Sequence, residues 1–291
     1  MKAKLLLVLI LWATGLLATT NSSEREFEFQ YAGVTLHGVL NTPTHQEAKG
    51  IVILVHGSGA TNAVAQQLHY DVRMTLVQAG YSTFMWDKMG CGKSGGTFDY
   101  NQTIESSAEE VIAAIQALRE ADLVGAQSIG LWGISRAGWI CPMVINQQPD
   151  IKFWISVSGV DDKESFNYLF EQNLQITGLP QDSIDLMLDE MNAGNKICHE
   201  GGSYETYLAA TANLRENAFW LRFTNGGGNE EGYYQYQKQF MTETLDPATG
   251  LKVYVNDFEE MLGRIKCPVL ALFGEVDKQV DWRKTKSLYE H

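Results

Sequence analysis

The sequence predicts an α/β fold, in which a mostly parallel, twisted sheet carries helices on both faces and one helical insertion. Short apolar runs alternate with helical patterns along the chain. The runs are apolar at consecutive positions, as expected for parallel strands that are buried on both faces. The alternation is interrupted once, over residues 162–264, and an apolar run resumes at 269–273. The interruption is best explained as an insertion between two strands of one sheet.

Each element of this fold follows from a local pattern. Strands at residues 27–31 and 34–40, joined by Ala32 and Gly33, form an opening hairpin. Helical patterns follow at residues 66–79 and 105–120, and a third helix begins near residue 137. Five further strands are expected to be parallel, at residues 51–56, 81–86, 128–132, 153–157 and 269–273. Alternation at this pace is typical of right-handed crossovers in a single sheet.

Residues 1–20 have the pattern of a secretory signal peptide, with a basic start, an apolar stretch over 5–17 and small residues before the cleavage region. An uncleaved membrane anchor is the alternative, but the stretch is short for a span of roughly 20 residues. We therefore expect an exported protein, periplasmic or extracellular, with no stable membrane insertion after cleavage. The remaining segments are the core, first part (21–161), a helical cap or lid (162–264), and an incomplete second part of the core (265–291).

Composition excludes several classes of function. The 291 residues carry a formal net charge of −13, so binding to nucleic acid is not expected. Gly92-Lys93-Ser94 ends like a phosphate-binding loop, but Asp87 stands where that motif needs glycine. No cofactor and no metal site is predicted, because the cysteines are scattered without a CxxC pair. Either disulfides or buried thiols suit the four cysteines, which are Cys91, Cys141, Cys198 and Cys267.

Ser135 is the predicted nucleophile. It lies in Gly133-Ile134-Ser135-Arg136-Ala137-Gly138, between an apolar strand and a helix. A tight strand-to-helix turn exposes a serine hydroxyl at the carboxyl end of the sheet, and the helix N-terminus favours developing negative charge. The turn tolerates only small neighbours, which Gly133 and Ala137 provide. The alternative is that Ser135 merely caps the helix.

A second glycine-rich turn, His56-Gly57-Ser58-Gly59, follows the first buried strand. Backbone N–H groups of such a turn can face the nucleophile, so the N–H groups of Ser58 and Arg136 are the predicted oxyanion hole. An ordinary strand-exit turn is the alternative. His56 is interpreted as a structural hydrogen-bonding residue.

Asp277 is the predicted acid, because Phe273-Gly274-Glu275-Val276-Asp277 leaves the strand at 269–273. A carboxylate there can orient a histidine and stabilise its imidazolium. Glu275 and Asp281 suit this role less well, and a surface carboxylate is the alternative.

These segments resemble the α/β-hydrolase superfamily, in particular its serine aminopeptidase-like or "hydrolase 4" type. That type carries HG-x-G, D-x-x-G-x-G-x-S, G-x-S-x-[AG]-G and G-x-x-D, and Asp87, Gly90, Gly92 and Ser94 match the second motif. The resemblance covers about residues 25–160 and 265–291. It implies a serine hydrolase, an esterase or peptidase, that cleaves a small-molecule ester or a peptide through an acyl-enzyme.

The resemblance also implies a histidine base after Asp277 and a further strand, but only His291 follows Asp277. Residues 282–291 have the pattern of the helix before that last strand, so a chain truncated before its base, with weak activity, is expected. His69 and His199 lie in the wrong part of the order, although His199 is in the insertion and can be placed near the site.

A catalytically impaired binding protein on the same fold is the alternative function, because the base is missing. The substrate is not specified by the sequence. Aromatic residues either line an apolar pocket or pack in the cap and core; they are Trp139, Trp154, Phe166, Phe170, Trp220 and Phe223.

Overall fold

A seven-stranded sheet forms the centre of the protein in the computed structural model. The structure describes residues 22–99, 102–161, 166–225, 231–232, 234–235, 238 and 255–290. The strands in chain order are β1 (Ser22–Tyr31), β2 (Val34–Pro43), β3 (Ile51–Val55), β4 (Ser82–Trp86), β5 (Ile129–Ile134), β6 (Trp154–Val157) and β7 (Val269–Leu272). Their order across the sheet is β1-β2-β4-β3-β5-β6-β7.

Helices connect and cover these strands. Those in the described residues are α1 (Tyr70–Gln78), α2 (Ile104–Glu120), α3 (Ala137–Gln147), α4 (Phe166–Ile176), α5 (Gln181–His199), α6 (Tyr204–Ala210), α7 (Ala218–Asn225), α8 (Phe258–Gly263) and α9 (Trp282–Tyr289). A short 3-10 helix covers Leu214–Glu216.

The parallel part of the sheet is confirmed. Strand β3 lies between β4 and β5 and is parallel to both, and β5, β6 and β7 continue in parallel. The side chains of β3 are at most 1% exposed because helices pack on both faces of the sheet. One face packs with α2 and α3, and the other packs with apolar residues of α1. Burial on both faces is the physical reason that the sequence shows continuous apolar runs here.

The opening hairpin is longer than predicted. Strands β1 and β2 pair antiparallel from Tyr31 opposite Val34 to Ser22 opposite Pro43. Residues 22–26 have no apolar alternation, so backbone pairing with β2, rather than a side-chain pattern, makes them a strand. Helix α1 begins at Tyr70, later than the helical pattern suggests, because Gln67 and His69 have positive φ angles of 50° and 51°.

Helices α4 to α7 form the described part of the insertion and have an apolar core of their own. That core contains Phe170, Leu174, Ile184, Met191, Leu214 and Trp220. In contrast, Val255 and Phe258 pack in the main core, so the end of the range 162–264 contributes to the α/β core. The Tyr168 hydroxyl of α4 donates a hydrogen bond to the Asp277 carbonyl at 2.8 Å. Coverage of the strand ends by this insertion stays a prediction.

Strand β7 lies at one edge of the sheet and, among the described residues, pairs with β6 alone. Its residues Val269, Leu270 and Leu272 are 42–53% exposed. All four cysteines are free thiols. In the part of the chain that the structure describes, no helix combines the length and apolarity needed to cross a membrane. Residues 1–20, predicted as a signal peptide, lie outside the described residues.

Candidate active site

Ser135 occupies a sharp turn between β5 and α3. Its φ angle is +54°, a left-handed conformation that is rare and strained for a residue other than glycine. The turn is held on both sides: the Ser135 N–H donates to Val157 O at 3.0 Å, and the Ser135 carbonyl accepts from Gly138 N at 2.7 Å. The serine therefore sits at the carboxyl end of the sheet, where open α/β sheets bind ligands.

Close packing explains the small residues around this turn. A Cβ atom placed on Gly133 would lie 2.8 Å from both the Ala137 Cβ and the Cys141 Sγ. An alanine at 137 fits because the facing residue has no side chain. The departure from the simplest Gly-x-Ser-x-Gly pattern therefore does not disturb the turn.

The loop of residues 56–59 lies against the serine turn. A Cβ atom on Gly57 would be 3.6 Å from the Ser135 Cβ and 3.3 Å from the Ile134 carbonyl oxygen. Ser58 follows directly and is exposed. Arg136 is the N-cap residue directly before α3, and its guanidinium donates to Ser107 Oγ at 2.9 Å and to the carbonyl of Gln102. Both predicted oxyanion donors thus belong to segments that border Ser135.

His56 is buried between β3 and β4. Its Nε2 is 2.6 Å from the Trp86 carbonyl oxygen, and its ring packs edge-on against the Trp86 indole at 4.6 Å between centroids. Burial lowers the pKa of His56 to about 3, and the Lys88 charge acts in the same direction. A neutral, hydrogen-bonded imidazole in this position joins two strands, in agreement with the structural role expected for it.

Lys88 is a residue that the motifs did not single out. It is the second residue after β4, and its ammonium donates to Gly57 O at 2.6 Å and to Gly59 O at 2.7 Å. Burial lowers the pKa of Lys88 to about 8, with a further lowering by Arg136. The available signal was its position, two residues beyond a buried strand and at the same edge of the sheet as Ser135.

Hydrogen bonds of the D-x-x-G-x-G-x-S segment stabilise the loop after β4. The Asp87 carboxylate accepts from Val64 N at 2.9 Å and from Lys93 N at 3.0 Å. Ser94 Oγ donates to the Asp87 carbonyl at 2.6 Å and accepts a backbone N–H of β2 at 2.9 Å. Gly92 has a φ angle of +52°, and a Cβ there would collide with the Asp87 carboxylate. The motif therefore stabilises the loop that carries Lys88.

Asp277 lies in the loop after β7. Its Oδ1 accepts the N–H groups of Gln279 at 2.8 Å and Val280 at 3.0 Å. The carboxyl ends of β5, β6 and β7 lie at the same level of the sheet. Ser135 N donates to Val157 O, and in the same way Ser158 N donates to Leu272 O at 2.8 Å. Strands β5 and β7 flank β6, so about 10 Å separates them at a spacing of ~4.8 Å per strand. A bridging side chain is needed to connect Asp277 with Ser135.

Three of the described histidines have their contacts away from Ser135 and the Asp277 carboxylate. His56 is bonded to the Trp86 carbonyl. His69 packs against the Trp132 ring at 4.9 Å between centroids, and His37 Nδ1 lies 3.3 Å from a Glu28 carboxylate oxygen. The placement of His199 near the site stays a prediction. His291 lies outside the described residues.

The aromatic side chains considered as pocket lining pack in two cores. Trp139 and Trp154 are 7% and 1% exposed in the main core, and Phe170 and Trp220 belong to the core of the insertion. The side chains of Phe166 and Phe223 lie outside the described part. Among the described residues, no group of three or more His, Cys, Asp or Glu is arranged to hold a metal ion.

A match to a known family identifies the family to which the chain belongs. Residues 32–291 match the family of X-Pro dipeptidyl-peptidases, S15. The chain belongs to the S15 family. It is an enzyme of the hydrolase class with the α/β-hydrolase fold, so the expected superfamily is confirmed. The serine aminopeptidase-like type within that superfamily stays a prediction.

Solved structures have the same fold as this S15-family chain. An esterase of Pyrococcus furiosus is 15% identical, with 93% of this chain and 76% of that chain covered and a TM-score of 0.56. The acylaminoacyl peptidase of Pyrococcus horikoshii is 13% identical over 94% of this chain and 35% of its own, with a TM-score of 0.51. Est1E of Butyrivibrio proteoclasticus, solved with ferulic acid bound, is 17% identical. The match covers 91% of this chain and 84% of that chain, with a TM-score of 0.50. No curated protein matches the sequence significantly.

Proposed function

We propose that the protein is a serine hydrolase that cleaves an ester or peptide bond through an acyl-enzyme at Ser135. The observation that carries the proposal is the strained turn at Ser135, with a φ angle of +54°, packed against the glycine-rich loop of residues 56–59. A strained, well-braced backbone at the carboxyl end of a parallel sheet is typical of a nucleophile that must be presented to substrate.

In the proposed reaction, Ser135 Oγ attacks the substrate carbonyl carbon and gives its proton to a histidine base. The backbone N–H groups of Ser58 and Arg136 bind the oxyanion of the tetrahedral intermediate. The histidine then protonates the leaving alcohol or amine, and water hydrolyses the acyl-enzyme by the same steps. Asp277 orients the histidine and stabilises its imidazolium form.

The identity of the base is tested by substituting the two candidate histidines. His199 and His291 are each replaced by alanine, and hydrolysis of a p-nitrophenyl ester is measured. Loss of one member of a triad still leaves roughly 10³- to 10⁴-fold acceleration over water, so we expect low residual activity from the variant that lacks the base. Wild-type activity of both variants would mean that neither histidine is the base.

The substrate class is proposed from the family. X-Pro dipeptidyl-peptidases give the S15 family its description. Among the structural relatives, the Pyrococcus furiosus protein is an esterase, and Est1E binds ferulic acid, a carboxylic acid. A panel containing Gly-Pro-p-nitroanilide and a short-chain p-nitrophenyl ester separates the two classes. A preference for the anilide supports a peptidase, and a preference for the ester supports an esterase.

We further propose that the protein is exported. The support is the pattern of residues 1–20 in the sequence. N-terminal sequencing of protein recovered from the cell exterior or periplasm tests this, with a start near residue 21 as the expected result.

A fluorophosphonate probe tests the nucleophile. We expect labelling of Ser135 in the wild type, and loss of labelling in Ser135→Ala. Ser158→Ala is the matched control, because Ser158 directly follows the neighbouring strand β6 and also has a positive φ angle, 44°. Undiminished labelling of Ser135→Ala refutes the assignment. A wild type that is folded but unlabelled favours the alternative, a non-catalytic binding protein.

A further inference from the structure

The ammonium of Lys88 reaches into the loop of residues 56–59 from the neighbouring strand end. It donates to the carbonyl oxygens of Gly57 and Gly59, at 2.6 and 2.7 Å. Lys88 is 9% exposed, so these bonds form in a largely desolvated place. The carbonyl of Gly57 and the N–H of Ser58 belong to one planar peptide group. The lysine therefore binds the carbonyl oxygen of the same peptide group whose N–H, that of Ser58, is the proposed oxyanion donor.

We propose that Lys88 is a positioning residue that fixes the loop of residues 56–59 and polarises the Gly57–Ser58 peptide, strengthening the Ser58 N–H as an oxyanion donor. This inference rests on the proposed function of Ser135 as nucleophile. It assigns to Lys88 a role through the peptide, without contact with substrate.

The physical basis is hydrogen-bond cooperativity. A hydrogen bond from a charged donor is shorter and roughly twice as strong as one between neutral groups. A donor that draws electron density towards a carbonyl oxygen makes the N–H of the same amide a better donor, and low local dielectric enlarges this effect. The oxyanion forms on the far side of that amide. A cation behind the peptide thus stabilises the transition state more than the ground state.

Charged groups around Lys88 set the pH range of this effect. Burial is the main cause that lowers the pKa of Lys88 to about 8, and Arg136 at the start of α3 also lowers it. Glu110 of α2 and Cys91 of the same loop act in the opposite direction. The imidazole of His56 also faces it and is kept neutral by burial.

The pKa of Lys88 determines how the reaction rate changes with pH. Lys88 is charged below about pH 8, so its polarising effect is fully present at lower pH and is lost as pH rises through that value. A neutral amine retains two N–H groups and can still bind both carbonyls. The loop therefore stays in place at high pH while the charge disappears, which predicts a fall in rate without unfolding.

The main experiment measures the second-order rate of fluorophosphonate reaction at Ser135 in the full chain, together with kcat and KM for a p-nitrophenyl ester. Removal of one direct oxyanion donor costs about 10²- to 10³-fold. Because Lys88 acts through the peptide, we expect Lys88→Met to lower the reaction rate and kcat by about 10- to 100-fold with little change in KM. Lys88→Arg keeps a permanent charge, so we expect this variant to recover much of the rate. Its rate should also no longer fall as the pH rises through about 8.

Lys93→Met is the matched control. Lys93 lies in the same loop, but its side chain is 58% exposed and pairs with Glu26 at the surface. We expect wild-type rates from this variant. A decrease as large as that of Lys88→Met would show a general effect of charge in the loop and would overturn the proposal.

Chemical rescue provides a second measurement that does not depend on how well methionine or arginine fits. A cavity of about 190 Å³ borders Lys88 and is lined in part by Tyr31, Met89 and Phe98, so truncation of the lysine side chain adds space beside it for a small amine. We expect propylammonium to raise the rate of Lys88→Ala and the neutral alcohol propanol to leave it unchanged. Rescue by both, or by neither, contradicts a role for the charge.

The outcomes separate the two proposals. A wild type that does not react at Ser135 refutes the proposed function itself. A wild type that reacts, with a folded Lys88→Met variant equally fast and a rate in Lys88→Arg that still falls as the pH rises through about 8, overturns the role of Lys88 alone.

Discussion

Replacing Gly133 by alanine tests whether close packing behind the turn positions Ser135. The added Cβ would lie 2.8 Å from both the Ala137 Cβ and the Cys141 Sγ. Non-bonded carbon atoms are comfortable at about 3.5–4.0 Å, so the contact with Ala137 is short by about 1 Å. Both neighbours belong to α3 and are buried, so the side chains cannot simply turn away. The strain must move the helix or the strand end, and Ser135 lies between them.

The displacement sets the expected losses of stability and of labelling rate in Gly133→Ala. Overpacking of a well-packed core costs about 1–3 kcal/mol in free energy of unfolding. For a domain of this size, that corresponds to a fall in melting temperature of about 2–10 °C. A catalytic group that is misplaced by about 1 Å loses about 100-fold in rate. Gly133→Ala is therefore expected to lose far more fluorophosphonate reactivity than stability.

The assay pairs thermal melting with the rate of labelling at Ser135. Gly263→Ala is the control, because Gly263 ends α8 and a Cβ there meets no atom within 4 Å. We expect the control to melt and react like the wild type. Wild-type reactivity and stability in Gly133→Ala would refute the packing account of the turn.

Two further predictions concern the acid and the buried histidine. Asp277→Asn should lower ester turnover by about 10³- to 10⁴-fold, because the amide cannot stabilise an imidazolium, while Glu275→Gln in the same exposed loop should not; equal effects would argue against Asp277 as the acid. His56 takes up a proton near its usual pKa of 6.5 when unfolded, but only at about 3 when folded. Its contribution to stability is therefore present above pH 6.5 and falls by about 1.4 kcal/mol per pH unit as the pH drops towards 3. Urea titrations at several pH values between 4.5 and 7 measure the free energy of unfolding. Its dependence on pH should be shallower for His56→Asn than for the wild type, and an identical pH dependence would contradict this.

The parallel sheet was predictable because its signal is local. Residues of β3 and β5 are apolar in succession, and the serine turn lies between a strand and a helix that each have a clear pattern. The hairpin extension over residues 22–26 was not predictable in this way. Its polar sequence carries no alternation, and it is a strand because β2 offers backbone partners.

By itself, the sequence determined the α/β fold, the position of Ser135 at a strand end, and a carboxylate, Asp277, at another strand end of the same sheet. These features depend on apolar runs and on small residues at fixed spacing, which are visible along the chain. Only the tertiary structure decided what meets in space. It bonded His56 to the Trp86 carbonyl, gave Asp87 a bracing role, and placed the Lys88 ammonium on Gly57 and Gly59. Such contacts join residues 23 to 31 positions apart, so strand order and burial, rather than local pattern, create them.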